Sequence, residues 1–127
     1  IKGWSRSTKL LFKLMANTFL NAKSDLTTTN LTTVYTVPSA TTAVIKSILV
    51  SEDAGSGTTI DVTLVDASGN IFSLFKAKAV GSNTTVELLT QPLVLKESEA
   101  LKAQAADANE LHIIASILEV KPREVVT

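Results

Sequence analysis

The chain has 127 residues, of which 45% are hydrophobic and only 5% aromatic. This composition fits one globular domain with an aliphatic core and excludes a disordered chain. There is no cysteine, which excludes a disulfide scaffold and a thiolate metal site. The 12 basic and 12 acidic residues cancel, but residues 1–14 hold four basic residues and no acid. Residues 15–127 therefore keep eight basic and 12 acidic residues, a net of −4, which argues against nucleic acid as a partner.

The first 14 residues differ from the rest of the chain, because they are basic and hold the only tryptophan. A secretory signal is disfavoured, since Lys13 interrupts a short apolar run. A basic amphipathic helix is one alternative, and it would place four apolar residues on one side: Leu11, Leu14, Met15 and Phe19. The other alternative is that the native protein starts at Met15, the only methionine, so that residues 1–14 are not part of it.

The chain then reads as a succession of short strands. Residues 17–31 are polar and predict an N-terminal arm or an edge strand. The apolar, β-branched run Thr41–Val50 predicts a central strand, about residues 42–51, inside a two-layer structure. Residues 58–66 alternate between apolar and polar side chains, which predicts a half-buried strand. The same patterns predict further strands at residues 32–37, 71–80, 84–89, 92–95, 100–106 and 111–120.

This spacing predicts an all-β fold, a single antiparallel β-sandwich (jelly-roll-like) of about eight strands with a short N-terminal arm. The predicted organisation has three parts: the arm at 1–30, the sandwich at 31–121 and a C-terminal tail at 122–127. The strands at 42–51 and 111–120 are apolar on both faces. Packing inside the sandwich accounts for one face, so the other needs cover from the arm or from another subunit. The sequence therefore predicts a homo-oligomer.

No set of residues predicts a catalytic, cofactor-binding or metal site. Four carboxylates suggest a calcium site, but their spacing matches no calcium loop, and solvated turn carboxylates are the favoured interpretation: Glu52, Asp53, Asp61 and Asp66. The single histidine, His112, has no second His or Cys as a co-ligand and is interpreted as a partly exposed strand residue. Tyr35 is the only aromatic of the body considered for stacking on a sugar, and one ring makes a poor platform. The sequence therefore predicts a protein that is not an enzyme and needs no cofactor.

Four segments, taken together and in order, resemble small β-sandwich virion structural proteins of tailed bacteriophages, the marine and cyanobacterial ones especially. The segments are Val34–Pro38 with Thr41–Val50, Ile60–Leu64, Gln91–Ala105 and Leu111–Val120. They carry a Tyr-Thr-Val-Pro entry, a first apolar strand ending in Val-Ser, a Pro-Leu-Val-Leu corner, a Leu-x-Ala-x-Ala strand and a closing Ser-x-Leu-Glu. One corner departs from the pattern, because Leu95–Glu99 lacks the glycine of the usual Leu-x-x-Gly-Asp.

The resemblance implies a non-enzymatic virion structural protein, such as a head decoration, neck or tail accessory subunit, that acts by protein–protein assembly. It implies other virion proteins and copies of the chain as partners, with no nucleic acid and no membrane. It also implies a location in the virion, after assembly in the host cytoplasm. The alternative hypothesis is a carbohydrate- or host-surface-binding β-sandwich module of a receptor-binding structure. That alternative predicts exposed aromatic residues around the loops at 52–57 or 67–70.

Overall fold

Alternating apolar and polar side chains produce nine strands over residues 13–124, which are the residues that the computed structural model describes. No helix occurs among them. The strands are β1 (Lys13–Leu26), β2 (Thr32–Thr36), β3 (Thr42–Glu52), β4 (Thr58–Val65), β5 (Ile71–Val80), β6 (Thr85–Glu87), β7 (Leu93–Leu95), β8 (Ala100–Ala105) and β9 (Leu111–Glu124).

The strands form two antiparallel sheets. The first sheet has the order β1-β9-β3-β6, and β7 also pairs with β3; the second has the order β2-β8-β4-β5. This is the strand order of an eight-stranded jelly roll in which one position is divided between β6 and β7. β6 pairs with Leu49–Ser51 and β7 with Ala43–Ile45. Pro92, which cannot donate to a ladder, lies directly before β7. The predicted all-β, jelly-roll-like sandwich is confirmed.

The core between the two sheets is aliphatic. β3 contributes Ile45, Ile48 and Val50, all fully buried. A bulge between Ile45 and Ser47 lets Ile45 and Ile48 point inward although they are three residues apart. The other fully buried large apolar side chains are Leu26, Val37, Ile60, Leu95, Leu101, Leu111, Ile113 and Ile117. Burying such side chains is the main favourable contribution to the stability of the fold.

β1 lies within the segment predicted as an N-terminal arm, and it differs from that prediction. It pairs with β9 over 14 residues, from Lys13 opposite Glu124 to Leu26 opposite Leu111. Leu20 and Ala22 pack against the core and Leu26 is buried in it. The edge-strand alternative is therefore confirmed for residues 17–26, and the amphipathic-helix alternative is wrong for residues 13–19. Residues 1–12 lie outside the described residues.

β9 also continues past the predicted end of the last strand at residue 120 and into the predicted C-terminal tail, as far as Glu124. Its pairing with β3 stops at Val120, whereas its pairing with β1 continues. Within residues 13–124, β9 beyond Val120 pairs with β1 alone, and Pro122 lies in this part of the strand, where only one ladder runs.

Candidate interaction surface

The outer face of the first sheet carries an apolar row that crosses four strands, which we call row 1. Phe19 of β1 lies opposite Leu118 of β9, Leu118 opposite Val44 of β3, and Val44 opposite Val94 of β7. Cross-strand partners point to the same face, so the four side chains form one continuous stripe. Phe19 is 75% exposed and Val94 is 56% exposed. The outer face is therefore uncovered within the described part of the chain, and β1 extends it instead of covering it.

A second cross-strand row, row 2, runs parallel to the first. Lys23 of β1 lies opposite Ile114 of β9, Ile114 opposite Leu49 of β3, and Leu49 opposite Glu87 of β6. Ile114 and Leu49 are large exposed apolar side chains. Row 2 therefore has an apolar centre, with a positive charge at one end and a negative charge at the other.

The space between the two rows is polar, with Asn21, Ser116 and Ser47 across β1, β9 and β3. The Ser47 hydroxyl and the Ile48 N–H both donate to Glu87, the latter at 2.8 Å. Burial opposes ionisation of Glu87, but these hydrogen bonds and that from the Leu89 N–H outweigh it, so the pKa of Glu87 is lowered. The bulge in β3 and the negative end of row 2 are thus fixed by one carboxylate.

The outer face of the second sheet is different, because polar and charged side chains lie along it. Lys102 of β8 is opposite Thr63 of β4, and Gln104 is opposite Asp61. Asp61 accepts a hydrogen bond from the Ala77 N–H at 2.6 Å and lies 3.3 Å from Lys76 Nζ. The hydrogen bond from the Ala77 N–H is the main cause of the lowered pKa of Asp61. Burial acts in the opposite direction, and Lys76 lowers the pKa further. Three apolar side chains of this face, Ala100, Val65 and Ile71, are paired across β8, β4 and β5 at one end of the sheet, so the face lacks the two parallel rows of the first sheet.

Three of the four carboxylates considered for a calcium site accept hydrogen bonds from backbone N–H groups: Glu52, Asp61 and Asp66. Glu52 is only 2% exposed, so its interpretation as a solvated turn residue is wrong. Its two oxygens accept hydrogen bonds of 2.9–3.2 Å from four backbone N–H groups, those of Asn83, Gly55, Ser56 and Gly57. The Asn83 N–H contributes most to lowering the pKa of Glu52; burial opposes the shift, and the three loop N–H groups add to it. Glu52 therefore organises the loop after β3 and ties it to the turn before β6.

Asp66 has a similar role in the turn between β4 and β5. It accepts hydrogen bonds from the N–H groups of Ser68 and Asn70 at 3.0 and 2.8 Å. The Asn70 N–H and side chain are the main causes of the lowered pKa of Asp66. This is the behaviour of an Asx turn, and it fixes the turn at residues 67–70 between the two strands.

His112 lies between two carboxylates that are far apart in sequence. Its Nε2 is 3.3 Å from Asp25 of β1 and its Nδ1 is 3.7 Å from Asp53 of the loop after β3. The side chain is half exposed, as predicted for this strand residue. The sequence does not reveal the two partners, because only the register of β1 on β9 brings Asp25 opposite His112. Among the described residues, no group of three His, Cys, Asp or Glu side chains is arranged to hold a metal ion.

Tyr35 does not present its ring to solvent. It is 9% exposed, and its hydroxyl donates to Glu119 Oε2 at 2.6 Å. Burial, followed by the hydrogen bond and the charge of Glu119, raises the pKa of Tyr35. Because β2 belongs to the second sheet and β9 to the first, this hydrogen bond joins the two sheets. Tyr35 is therefore a structural residue and is excluded as a sugar-stacking platform.

The tip of the β4–β5 hairpin exposes two other apolar side chains, Ile71 and Phe72, the latter 52% exposed. They follow directly on the turn at residues 67–70. Phe72 is thus an exposed aromatic side chain at one of the two loops where the alternative hypothesis predicts one. Over residues 13–124, the fold contains no helix long and apolar enough to cross a membrane.

No family model matches the chain, and no curated protein sequence is significantly similar to it. Solved structures share its fold. A subunit of the disulfide-linked pili that form Bacillus endospore appendages is 8% identical, with a TM-score of 0.55 over 89% of this chain and 92% of that chain. A chain of the acid-stable capsid of Helicobacter pylori bacteriophage KHP30 is 12% identical, with a TM-score of 0.51 over 91% and 100% of the two chains. A chain of T=1 particles derived from infectious bursal virus is 12% identical, with a TM-score of 0.50, but only 32% of it is covered.

At these identities the likeness concerns the fold alone. The chain is a jelly-roll β-sandwich whose structural neighbours are viral capsid and pilus structural proteins.

Proposed function

We propose that this chain is a non-enzymatic structural subunit of a virion that acts by protein–protein assembly. The observation that carries the proposal is the outer face of the first sheet, where rows 1 and 2 leave large apolar side chains in solvent. Contiguous exposed apolar patches on soluble proteins mark interaction sites. The opposite outer face is mostly polar, with Lys102 and Gln104, and its apolar pairs, Ala100 with Val65 and Val65 with Ile71, lie at one end. The asymmetry fits a subunit that uses one sheet for contact and presents the other to water.

Two further observations support this proposal. Two of the structures that share the fold belong to assemblies, one to a pilus and one to a phage capsid. The order of four sequence segments resembles virion proteins of tailed phages. The pilus is described as disulfide-linked, whereas this chain has no cysteine. Its own assembly would therefore depend on non-covalent contacts.

The finer parts of the proposal rest on the sequence resemblance. They are a role as a head decoration, neck or tail accessory subunit of a tailed phage of the marine or cyanobacterial type, and assembly in the host cytoplasm. The proposed partners are other virion proteins and copies of this chain. The proposed partners do not include a membrane, and the net charge of −4 over residues 15–127 disfavours nucleic acid.

The experiment that tests the proposal looks for the chain in particles. Virions are purified from the source culture by density gradient, probed with antibodies raised against the purified chain, and digested for mass spectrometry. We expect the chain to co-sediment with intact particles in fixed proportion to the major capsid protein. If it stays in the soluble fraction while the particles are complete, the proposal is wrong.

The hairpin tip favours a second candidate function, a carbohydrate- or host-surface-binding module. Phe72 is exposed beside the turn at residues 67–70, and an exposed ring is what such a module uses to stack on a sugar. A glycan array probed with the full chain and with Phe72→Ala tests this candidate. Binding that Phe72→Ala abolishes would favour it, and an array without hits would dismiss it.

A further inference from the structure

We propose that a second copy of this chain packs face to face on the outer face of the first sheet, about a two-fold axis parallel to the strands. The inference rests on the proposed function, because it names the partner of the same surface and the geometry of the contact. Two sheets that pack in this way lie about 10 Å apart, with strand directions within about 30° of each other. The sheet order β1-β9-β3-β6/β7 places the axis above the space between β9 and β3.

This axis keeps each cross-strand row at its own height and reverses its order. In row 1, Phe19 then faces Val94 of the second copy, and Leu118 faces Val44 of the second copy. Every contact in the row joins two apolar side chains. The two most exposed members of the row, Phe19 and Val94, are covered by each other.

Row 2 is self-complementary in charge under the same operation. Lys23, at one end, faces Glu87 of the second copy, and Ile114 faces Leu49 of the second copy. The symmetry produces each of these contacts twice, as an isologous interface requires. Because row 2 has opposite charges at its two ends, a reversed copy of the row brings each charge opposite its partner.

The other face-to-face axis, perpendicular to the strands, is disfavoured by the same rows. It would exchange row 1 with row 2 and keep each strand above its own copy. Phe19 would then face Lys23 of the second copy, and Val94 would face Glu87. Both contacts place an apolar side chain against a charge, which desolvates the charge without pairing it.

The face is large enough for a small specific interface. A surface about four strands wide and about ten residues long covers roughly 600 Å² per copy. Two copies would then bury roughly 1,200 Å², the lower end of the range for specific interfaces. We therefore expect self-association to depend on protein concentration.

The absence of cysteine from the chain allows a direct test with single-cysteine variants. Full-length Phe19→Cys and Val94→Cys proteins are mixed and treated with a bis-maleimide that spans about 10 Å, the separation of two packed sheets. Positions 19 and 94 are three strand spacings apart within one sheet, about 14 Å. In the proposed dimer, Cys at position 19 of one copy is therefore within reach of Cys at position 94 of the second copy. Two cysteines at position 19, or two at position 94, are too far apart to be linked. We expect several-fold more cross-linked dimer in the mixture than in either variant alone.

A mixture of Phe19→Cys with Lys23→Cys tests the perpendicular axis. Preferential cross-linking in that mixture, or equal cross-linking in all mixtures, overturns the proposal. A charge variant gives an independent measurement, because Lys23→Glu would place a glutamate opposite Glu87. We expect it to weaken self-association a few-fold in sedimentation equilibrium. Lys102→Glu, the same change on the other sheet, is the matched control and should leave self-association unchanged.

The outcomes separate this inference from the proposed function. A chain that is found in virions but shows no 19–94 cross-link overturns the two-fold geometry and leaves the structural role standing. A chain that neither self-associates nor occurs in particles overturns both. Equal effects of Lys23→Glu and Lys102→Glu would mean that net charge, and not the paired row, governs association, and would overturn the geometry.

Discussion

Removing the hydroxyl of Tyr35 should destabilise the protein by about 1.5–3 kcal/mol, the usual contribution of a hydrogen bond to a charged group. The Tyr35 hydroxyl is 2.6 Å from Glu119 Oε2, in a region where both residues are buried. In Tyr35→Phe, the one side-chain partner left to the carboxylate among residues 13–124 is Lys121, whose Nζ is 3.8 Å away and whose side chain is 45% exposed. An exposed ion pair of this kind compensates little. We therefore expect about 2 kcal/mol, within that range.

The assay is urea unfolding of wild type, Tyr35→Phe, Glu119→Gln and the double variant at one low protein concentration, so that association does not contribute. The double-mutant cycle isolates the coupling between the two residues. A loss below about 0.5 kcal/mol for Tyr35→Phe, the range of ordinary surface substitutions, would refute the inference that this bond joins the two sheets. Alkaline titration gives a second measurement, since Tyr35 is the only tyrosine. Its pKa is raised in the folded state, so its stabilising contribution is lost as the pH rises, and tyrosinate should appear together with unfolding.

Three further predictions concern β3 and the turns. Ile48→Asp should prevent folding, because an unpaired charge in the core costs several kcal/mol. Leu49→Asp, on the outer face, should fold but fail to self-associate. Circular dichroism measures folding and light scattering measures association, and the same behaviour of the two variants would contradict this prediction. Glu52→Gln should lower stability at neutral pH. It should also flatten the loss of stability between about pH 5 and pH 2, since a lowered carboxyl pKa stabilises the fold until the pH falls through it; parallel stability–pH curves would refute this role. Gly69→Ala should cost roughly 1–2 kcal/mol in thermal unfolding through its φ of +88° alone, because the new methyl meets no atom within 4 Å; an unchanged melting temperature would contradict that.

The strands that could be predicted from the sequence are those whose own hydrophobic pattern is strong enough to identify a strand without knowledge of its neighbours in the sheet. β3 is a long apolar run and β4 alternates with period two, and both occur within a residue of the prediction. β1 was ambiguous because most of the outward side chains at residues 17–25 are polar, with Phe19 as the exception. The alternation of Leu20, Ala22, Ser24 and Leu26 with polar residues was nevertheless a signal for a strand with one buried face.

The polar features could be predicted less well, because each depends on register. Tyr35 and Glu119 lie 84 residues apart and meet only when the two sheets pack. His112 meets Asp25 through the pairing of β1 with β9. Glu52 was the most accessible to prediction. It continues the inward side of β3 after Val50, and it precedes Gly55–Gly57, whose N–H groups have no ladder to join.

The sequence predicts that the outer face carries apolar side chains, but it does not predict how they line up across the strands. The sequence shows that β3 and β9 are apolar on both faces. The alignment of Phe19, Leu118, Val44 and Val94 needs the registers of three strand pairs. The bulge in β3 makes the alignment harder still to predict, because it changes which residues face outward after Ile45.

The most direct test of the central claim, that the chain is an assembly subunit, is size-exclusion chromatography with light scattering over a concentration series. The full wild-type chain is compared with Leu49→Asp, which alters the apolar centre of row 2, and with Thr33→Asp, the same charge at an exposed position opposite Lys102 on the other sheet. We expect a discrete oligomer that forms with rising concentration for wild type and Thr33→Asp, and a monomer for Leu49→Asp. A wild-type chain that stays monomeric at the highest concentrations would contradict it.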